Sequence, residues 1–372
     1  MSTGLQPQVA DPPATTRPGA RSGSAAGRLI ARHRWWITRL LALPLHLLLF
    51  AVATFFLVRL IPGDPAREVV GPEATQEDYL ATRERLGLDG SLPDQLATYL
   101  GRLLHLDLGE SIATGRSVTA EIGDRLPGTV ELAVTAFTWL VLVTLVLSTV
   151  VVARPRSLAA RLVRGYAQAA GSVPEFVVGV FGIFLFYATL HVVPAPTGRI
   201  RPGLVAPEPL THFPLLDAVL RGDLPVVNSM TSRLLLPVCV LVVSVCPVLL
   251  KQLLSSLEEA TASQPTRFMA AAGAPRRSVW AATYRRALPP VVTMSGNVFG
   301  SLVGGAVILE TLFGLGGMGS YAVDAVSTTD FVALQGSLLV VGALSMVVFL
   351  LVDVVNMTLD PRRKPGRKVA GS

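Results

Sequence analysis

Glu310 is the one acid well inside a long apolar run, from about Val291 to Phe313, and a carboxylate at membrane depth is costly enough to ask what it does. Two readings are open. The group acts on a solute within the membrane, or it sits near an interface and binds backbone amides of the Gly314 to Gly319 turn; the second is favoured. Asp64 and Asp107 are carboxylates that could do acid–base work. They stand, however, in Gly63-Asp64-Pro65 and Asp107-Leu108-Gly109, settings in which Asp bonds its own backbone in a turn. His33, His46, His105, His191 and His212 show no repeated ligand spacing. Cys239 and Cys246, seven apart in one apolar run, are placed to share a helix face and not to build a disulfide framework or metal site. No Gly-x-x-x-x-Gly-Lys-Ser/Thr stretch is present to cradle nucleotide phosphates. The expectation is a non-enzymatic chain with no catalytic residue, no metal and no cofactor of its own.

The elements that must position these residues are read from composition. Hydrophobic residues make up 51% of the 372 and charged residues 15%, with a mean hydropathy of +0.54, where a soluble domain carries about a quarter charged. The apolar residues are bunched into six runs, at about Leu40 to Val58, Leu132 to Val152, Phe176 to Val193, Leu234 to Leu254, Val291 to Phe313 and Leu334 to Val355. Each approaches the roughly 20 residues that cross a bilayer as a helix. An all-α integral membrane protein follows, with six transmembrane helices. Arg28, Arg32, Arg34 and Arg39 before the first run would suit a signal peptide, but Arg59 and Pro62-Gly63-Asp64-Pro65 stand where a small-residue cleavage site belongs, so the run reads as an uncleaved span.

The net charge is +7, yet the basic residues lie beside apolar runs with no aromatic–basic recognition pattern, which excludes a nucleic-acid partner and fits membrane lipid. The N-terminal flank, Arg154 to Arg164, the stretch from Lys251 to Arg286 and the tail from Arg362 to Lys368 are all basic. The positive-inside rule places them on the cytoplasmic face, with both termini cytoplasmic. The segment from about Arg59 to Arg125 then lies outside, where Gln76 to Leu88 and Leu92 to Leu106 read as short amphipathic helices of an extracytoplasmic cap. Residues 1–27 have the composition of a disordered tail.

From Arg59-Leu60-Ile61-Pro62-Gly63-Asp64-Pro65 onward the chain resembles the inner-membrane permease subunits of ABC transporters for dipeptides, oligopeptides and nickel. The likeness continues through Gly71-Pro72-Glu73-Ala74-Thr75, Leu86-Gly87-Leu88-Asp89, Asp107-Leu108-Gly109-Glu110-Ser111, Thr114-Gly115-Arg116 and Arg125-Leu126-Pro127-Gly128-Thr129-Val130-Glu131-Leu132. It resumes at Ser172-Val173-Pro174-Glu175-Phe176, Leu236-Pro237, Glu310-Thr311-Leu312-Phe313-Gly314-Leu315-Gly316-Gly317-Met318-Gly319, Asp330-Phe331, Gln335-Gly336 and Leu359-Asp360-Pro361-Arg362. The long segment after the first helix marks the type of permease that carries it. The resemblance implies a multi-pass protein of the cell (inner or plasma) membrane that imports peptides by alternating access. Its implied partners are a homologous second permease, two cytoplasmic ATPase subunits that hydrolyse the ATP, and an extracytoplasmic substrate-binding protein. A permease for nickel or another peptide-like solute is the alternative. A secondary transporter would need ion-coupling carboxylates or broken helices in two related halves, and an intramembrane hydrolase a nucleophile with its base.

The resemblance divides the chain into a tail at 1–27, the first span and external segment at 28–130, the permease domain at 131–360 with a coupling loop at about 256–288, and a basic tail at 361–372. It assigns ATPase coupling to Arg267, Ala270, Ala271, Ala272 and Gly273, where small residues let a short helix enter a groove and Gly permits a left-handed turn. Gln264-Pro265 and Ala272 replace the family's usual Asp-Tyr and Lys, and Pro265 suits the first turn of a helix beginning there. A His usual in the second short helix of the loop is missing, and Leu288-Pro289-Pro290 leads into the fifth span. Ser295, Gly300, Gly304, Gly305 and Glu310 are assigned to the translocation path or to close helix packing along it, together with Ser301.

Overall fold

The computed structural model describes residues 25–60, 63–71, 73–85, 87–169, 171 and 173–359. The two terminal tails, apart from residues 25–27, and the motif positions Ile61, Pro62, Pro72, Leu86, Ser172 and Asp360 to Arg362 lie outside them. Two units divide the chain, Met1–Ala42 and Leu43–Ser372. The regular elements among the described residues are all helices, with no strand. Helix α1 is Ala25–Arg59; α2 (Pro65–Val70), α3 (Gln76–Arg85) and α4 (Leu92–Leu104) form the segment after it. Then come α5 (Val118–Ala153), α6 (Leu158–Gln168), α7 (Glu175–Gly182) with a π-helical continuation through Ile183–Thr189, α8 (Pro214–Leu220), α9 (Leu224–Ala262), α10 (Gln264–Ala271), α11 (Arg276–Leu312), α12 (Met318–Ser327) and α13 (Phe331–Leu359).

Five stretches are long and apolar enough to cross a membrane: Ala42–Arg59, Val118–Ala153, Leu224–Ala262, Arg276–Leu312 and Phe331–Val352. The third apolar run departs from the six-helix expectation. It forms the shorter apolar helix Glu175–Thr189, about 22 Å of rise where a span needs about 30 Å. Pro174 lacks the amide that would continue α6 into α7, and Gly171 turns at φ +72°. At the other end the π turns close on Leu185, whose carbonyl accepts the Leu190 amide at 2.9 Å. The run is thus one apolar stretch divided between α7 and its flanks.

Helix α9 is the centre. Two-thirds of its apolar window is buried (67%), against 22–39% in the other long helices, and it packs against α5, α6, α7, α8 and α11. Leu241, Leu249, Leu250 and Leu253 are fully enclosed. Lipid chains are as apolar as leucine, so close packing and not escape from water holds these residues. Pro237 and Pro247 in α9 and Pro127 in α5 sit inside unbroken helices, which neighbouring helices make tolerable at membrane depth. Cys239 is exposed and Cys246 buried, both free. Their common angular position therefore meets two environments, because neighbours cover only part of that face of α9.

The loop after α9 is tighter than 256–288. Helix α9 runs on to Ala262, and α11 begins at Arg276 and continues through Pro289 and Pro290. The second short helix expected before Leu288-Pro289 is the first part of α11 itself.

Candidate functional site

Helix α10 stands between the ends of two long helices, and its geometry follows from its sequence. Ser263 is the N-cap and Pro265 lies in the first turn, where a missing amide costs nothing. At the far end Gly273 adopts φ +75°, the Gly273 amide donates to Ala270 O at 3.2 Å and the Ala274 amide to Met269 O at 3.1 Å. This paired closure over a left-handed glycine satisfies carbonyls that a helix end leaves open. Thr266 is buried, and its Oγ1 accepts from Arg286 Nη1 of α11 at 2.7 Å. Ser263 Oγ donates to Ala260 O of α9 at 2.7 Å. The inner side of α10 is therefore fastened to both long helices. Its outer side carries Arg267, Ala270, Ala271, Ala272 and Gly273, all exposed, and Phe268 at 75% exposure. Motif reasoning named the outer residues and missed Thr266 and Arg286, because nothing local links positions 20 apart.

The residues singled out in α11 fall on different faces. Ser295 bonds within its helix, to Val291 O at 2.9 Å. Gly300 faces the Phe349 ring of α13, and Gly305 is pressed against the Glu175 carboxylate of α7 with no room for a Cβ. Gly304 has open space beside it. It belongs to an exposed stripe at helical spacing: Thr293, Asn297, Ser301, Gly304, Ile308 and Thr311. The exposed faces of α5 and α7 are instead apolar, with Trp139, Leu142 and Val146 on one and Phe176, Val180 and Phe181 on the other. Polar groups at membrane depth turn toward protein or water and not toward lipid, which sets this stripe apart. Glu175 stood in the sequence only as a motif position; its Oε2 is buried without a hydrogen-bond partner.

Glu310 is fully buried and accepts the Gly319 amide through Oε2 at 2.9 Å. A Cβ at Gly319 would collide with the Val307 carbonyl, so glycine lets the turn fold back over α11. Thr129 of α5 joins the same knot, its hydroxyl accepting from Met318 N at 2.9 Å. Glu310→Gln keeps an acceptor for Gly319 and should leave protein level and uptake near wild type. Glu310→Ala orphans a buried amide and should lower stability by about 1–3 kcal/mol, read as a lower melting temperature in detergent. Loss of uptake in Glu310→Gln at normal protein level would assign the carboxylate a transport role.

Beside this knot lies a buried ion pair that local patterns did not show. Arg199 Nη1 meets Glu131 Oε2 of α5 at 2.9 Å, and Arg199 Nη2 donates to Gly128 O at 2.6 Å. Glu131 Oε1 accepts the Leu215 and Leu216 amides at the start of α8, at 2.8 and 3.2 Å. Burial pulls the Arg199 pKa below its ordinary value, while the negative charges of Glu131 and then Glu310 act the other way.

The carboxylates outside the spans serve as turn builders. Asp64 caps α2, accepting Ala66 N at 3.0 Å and the Tyr79 hydroxyl at 2.7 Å. Slight desolvation raises its pKa, and the Tyr79 and backbone bonds outweigh it to leave the carboxyl below its usual range. Asp107 accepts Gly109 N at 2.9 Å. Asp330 caps α13 through Ala333 N and holds Ser111 Oγ at 2.6 Å. Among the described residues no group of three or more His, Cys, Asp or Glu could hold a metal ion.

The sequence over residues 144–365, which holds α9, α10 and α11, matches the family described as "Binding-protein-dependent transport system inner membrane component". The chain belongs to that family. The companion N-terminal family, "Binding-prot-dependent transport system membrane comp, N-term", covers residues 32–133. The chain is similar to the "Probable D,D-dipeptide transport system permease protein" of Escherichia coli (strain K12), at 35% identity over 315 residues, 84% of this chain and 92% of that one. It is also similar to the "Di/tripeptide transport system permease protein" of Pseudomonas aeruginosa (strain UCBPP-PA14), at 33% over 311 residues, 83% and 92% of the two chains. It is thus a multi-pass membrane component of a transport system, a permease.

Proposed function

We propose that this permease is one half of the pore of an ATP-driven importer of small peptides. Its partners are a homologous second permease, two cytoplasmic ATPase subunits and an extracytoplasmic binding protein. The observation that carries the reading is α10. An exposed, Phe268-bearing helix, bonded on its inner side to α9 and α11, can pass the displacement of a docked ATPase directly to two of the longest helices. The names of the relatives, which specify dipeptides and tripeptides, support the solute class.

In this reading both termini and α10 are cytoplasmic, and α2 to α4 cap the outer face. The chain crosses six times, the third crossing being built from α7 and its flanks. The exposed α11 stripe from Asn297 to Thr311 faces the second permease across the path. Alternating access follows when the ATPases close and α9 and α11 shift together. The Asp330–Ser111 and Arg199–Glu131 contacts hold the outer ends of the helices during that shift.

The test is purification in mild detergent followed by uptake assays. ATPase subunits should come down with the chain, and uptake of a labelled dipeptide should vanish when the ATPases' phosphate-binding lysine is replaced. Uptake that continues with the ATPases inactive would sink the reading. Thr266→Val, which cuts the tie to Arg286 without changing the outer surface, should leave ATPase co-purification intact while lowering uptake several-fold.

A further inference from the structure

Three of the motifs singled out in the sequence do no work in the proposed cycle: Leu86-Gly87-Leu88-Asp89, Asp107-Leu108-Gly109 and Gln335-Gly336. The fold brings Gly87, Leu88, Asp107, Leu108 and Gln335 to one cavity of about 180 Å³, where the Arg59 end of α1, helix α4 and the start of α13 meet. Its walls are apolar in part, with the Phe55 and Tyr99 rings stacked at 5.7 Å. Its polar groups are mostly donors. Arg59 lies over the Phe55 ring at 3.5 Å and donates to Gln95 Oε1 at 2.7 Å and Phe55 O at 3.2 Å, which leaves further N–H groups of its guanidinium. Arg102, exposed on α4, also lines it.

Two donors there are buried and unused. Gln335 is only 8% exposed. Its side chain and Arg59 lie beside the Tyr99 hydroxyl, yet neither Gln335 Nε2 nor the hydroxyl meets a partner at hydrogen-bond geometry. Buried polar atoms left unpaired cost stability, so a ligand rich in acceptors is what this cavity lacks. Burial pushes the Tyr99 pKa up to about 12, and the phenol, already neutral at physiological pH at its ordinary value, is a neutral donor. Asp107 opposes an anion, but its Oδ1 is already engaged by Gly109 N at 2.9 Å, and two guanidinium groups outweigh it.

Size and surroundings decide between acceptors. Pockets that enclose a whole small molecule run to about 300–1,000 Å³, so this one suits a headgroup-sized anion and not a complete peptide. Each arginine is flanked by exposed apolar side chains: Phe56, Leu57 and Leu60 beside Arg59, and Leu104 and Leu106, at 86% and 82% exposure, beyond Arg102. Cationic heads over apolar stems and neighbours are the pattern of a membrane interface.

We propose that the cavity between α1, α4 and α13 binds the phosphate of a membrane phospholipid, with Arg59, Arg102, Tyr99 and Gln335 donating to its oxygens and the acyl chains lying along the exposed face of α1. The proposal rests on α1 crossing the membrane with its Arg59 end at an interface. It needs neither the peptide substrate nor the ATPases. Lipid binding fixes the α2–α4 segment to the helix ends.

The full-length chain, with any subunits that remain bound, is purified in mild detergent, and bound phospholipid is counted by native mass spectrometry as phosphatidylglycerol is titrated in. Arg102→Gln and Gln335→Leu should each weaken the tightest site by about tenfold, the scale of one charged or buried hydrogen bond. Arg102→Lys should retain most of it. In the unmodified protein a photoreactive headgroup should cross-link within residues 88–108 and 331–335. Unchanged affinity in both variants, or cross-links confined to other regions, would overturn the assignment. Displacement of the lipid by inorganic phosphate would make this a free-anion site, and displacement by a dipeptide a substrate site; either result also overturns it. Retained lipid with no ATP-driven uptake would fail the transport reading alone.

Discussion

Gly273→Val should reduce uptake at least tenfold while the protein still inserts in the membrane at normal level. Gly273 sits at φ +75° with nothing within 4 Å of where a Cβ would lie, so the penalty is conformational and not steric. A β-branched residue in the left-handed region is a genuine outlier, at a cost of about 1–2 kcal/mol. The long helices can bear that cost, but α10 cannot. It has eight residues, well under the roughly 12–15 at which an isolated helix holds in water, and it depends on its glycine closure and its ties to Ala260 and Arg286. Gly273→Asn, which tolerates the left-handed region, should keep most of the uptake. Uptake normalised to membrane protein, with ATPase co-purification measured alongside, separates a lost dock from a lost fold. Full uptake in Gly273→Val would remove α10 from the coupling path.

The largest loss of stability should come from Arg199→Ala. Arg199 and Glu131 side chains are 11% and 9% exposed, so removing the arginine strands a carboxylate in a nearly dry site with only the Leu215 and Leu216 amides to hold it. Breaking a buried pair in this way costs about 3–5 kcal/mol. A markedly lower melting temperature in detergent and a faster loss of protein from the membrane are expected. The double variant Arg199→Met with Glu131→Gln removes both charges and should recover much of the loss, since an absent pair is cheaper than half of one. A single variant that melts like the wild type would show that water reaches Glu131.

The legibility of the chain differs from element to element, for physical reasons. Five of the six apolar runs became long helices because bilayer thickness demands a length that hydropathy alone records. The third run did not, since Gly171 and Pro174 interrupt the chain before it and π turns follow, and a hydropathy window averages over both. Pro289-Pro290 read as a boundary, yet α11 continues through it, because surrounding helices stabilise a backbone that proline alone would end. Pro265 in the first turn of α10 and Gly273 just past its end were local signals, so they were legible. Its attachment through Thr266 and Arg286 was not, since two positions 20 apart meet only when α11 folds back.

Glu310 shows the same division. Its isolation in an apolar run marked it, and the Gly314 to Gly319 turn suggested its partner. What surrounds it came from elsewhere: Thr129 of α5, Arg199 of a loop and, through Arg199, Glu131. By itself the sequence determined an all-helical membrane protein, its family and the place of the short helix α10, because length, charge bias and turn chemistry act over a few residues. Only the tertiary structure decided which face of α11 stays open, which carboxylates are paired and where Arg59, Tyr99, Arg102 and Gln335 converge. Those depend on contacts between segments far apart in the chain, and no local pattern encodes the angle at which two helices meet.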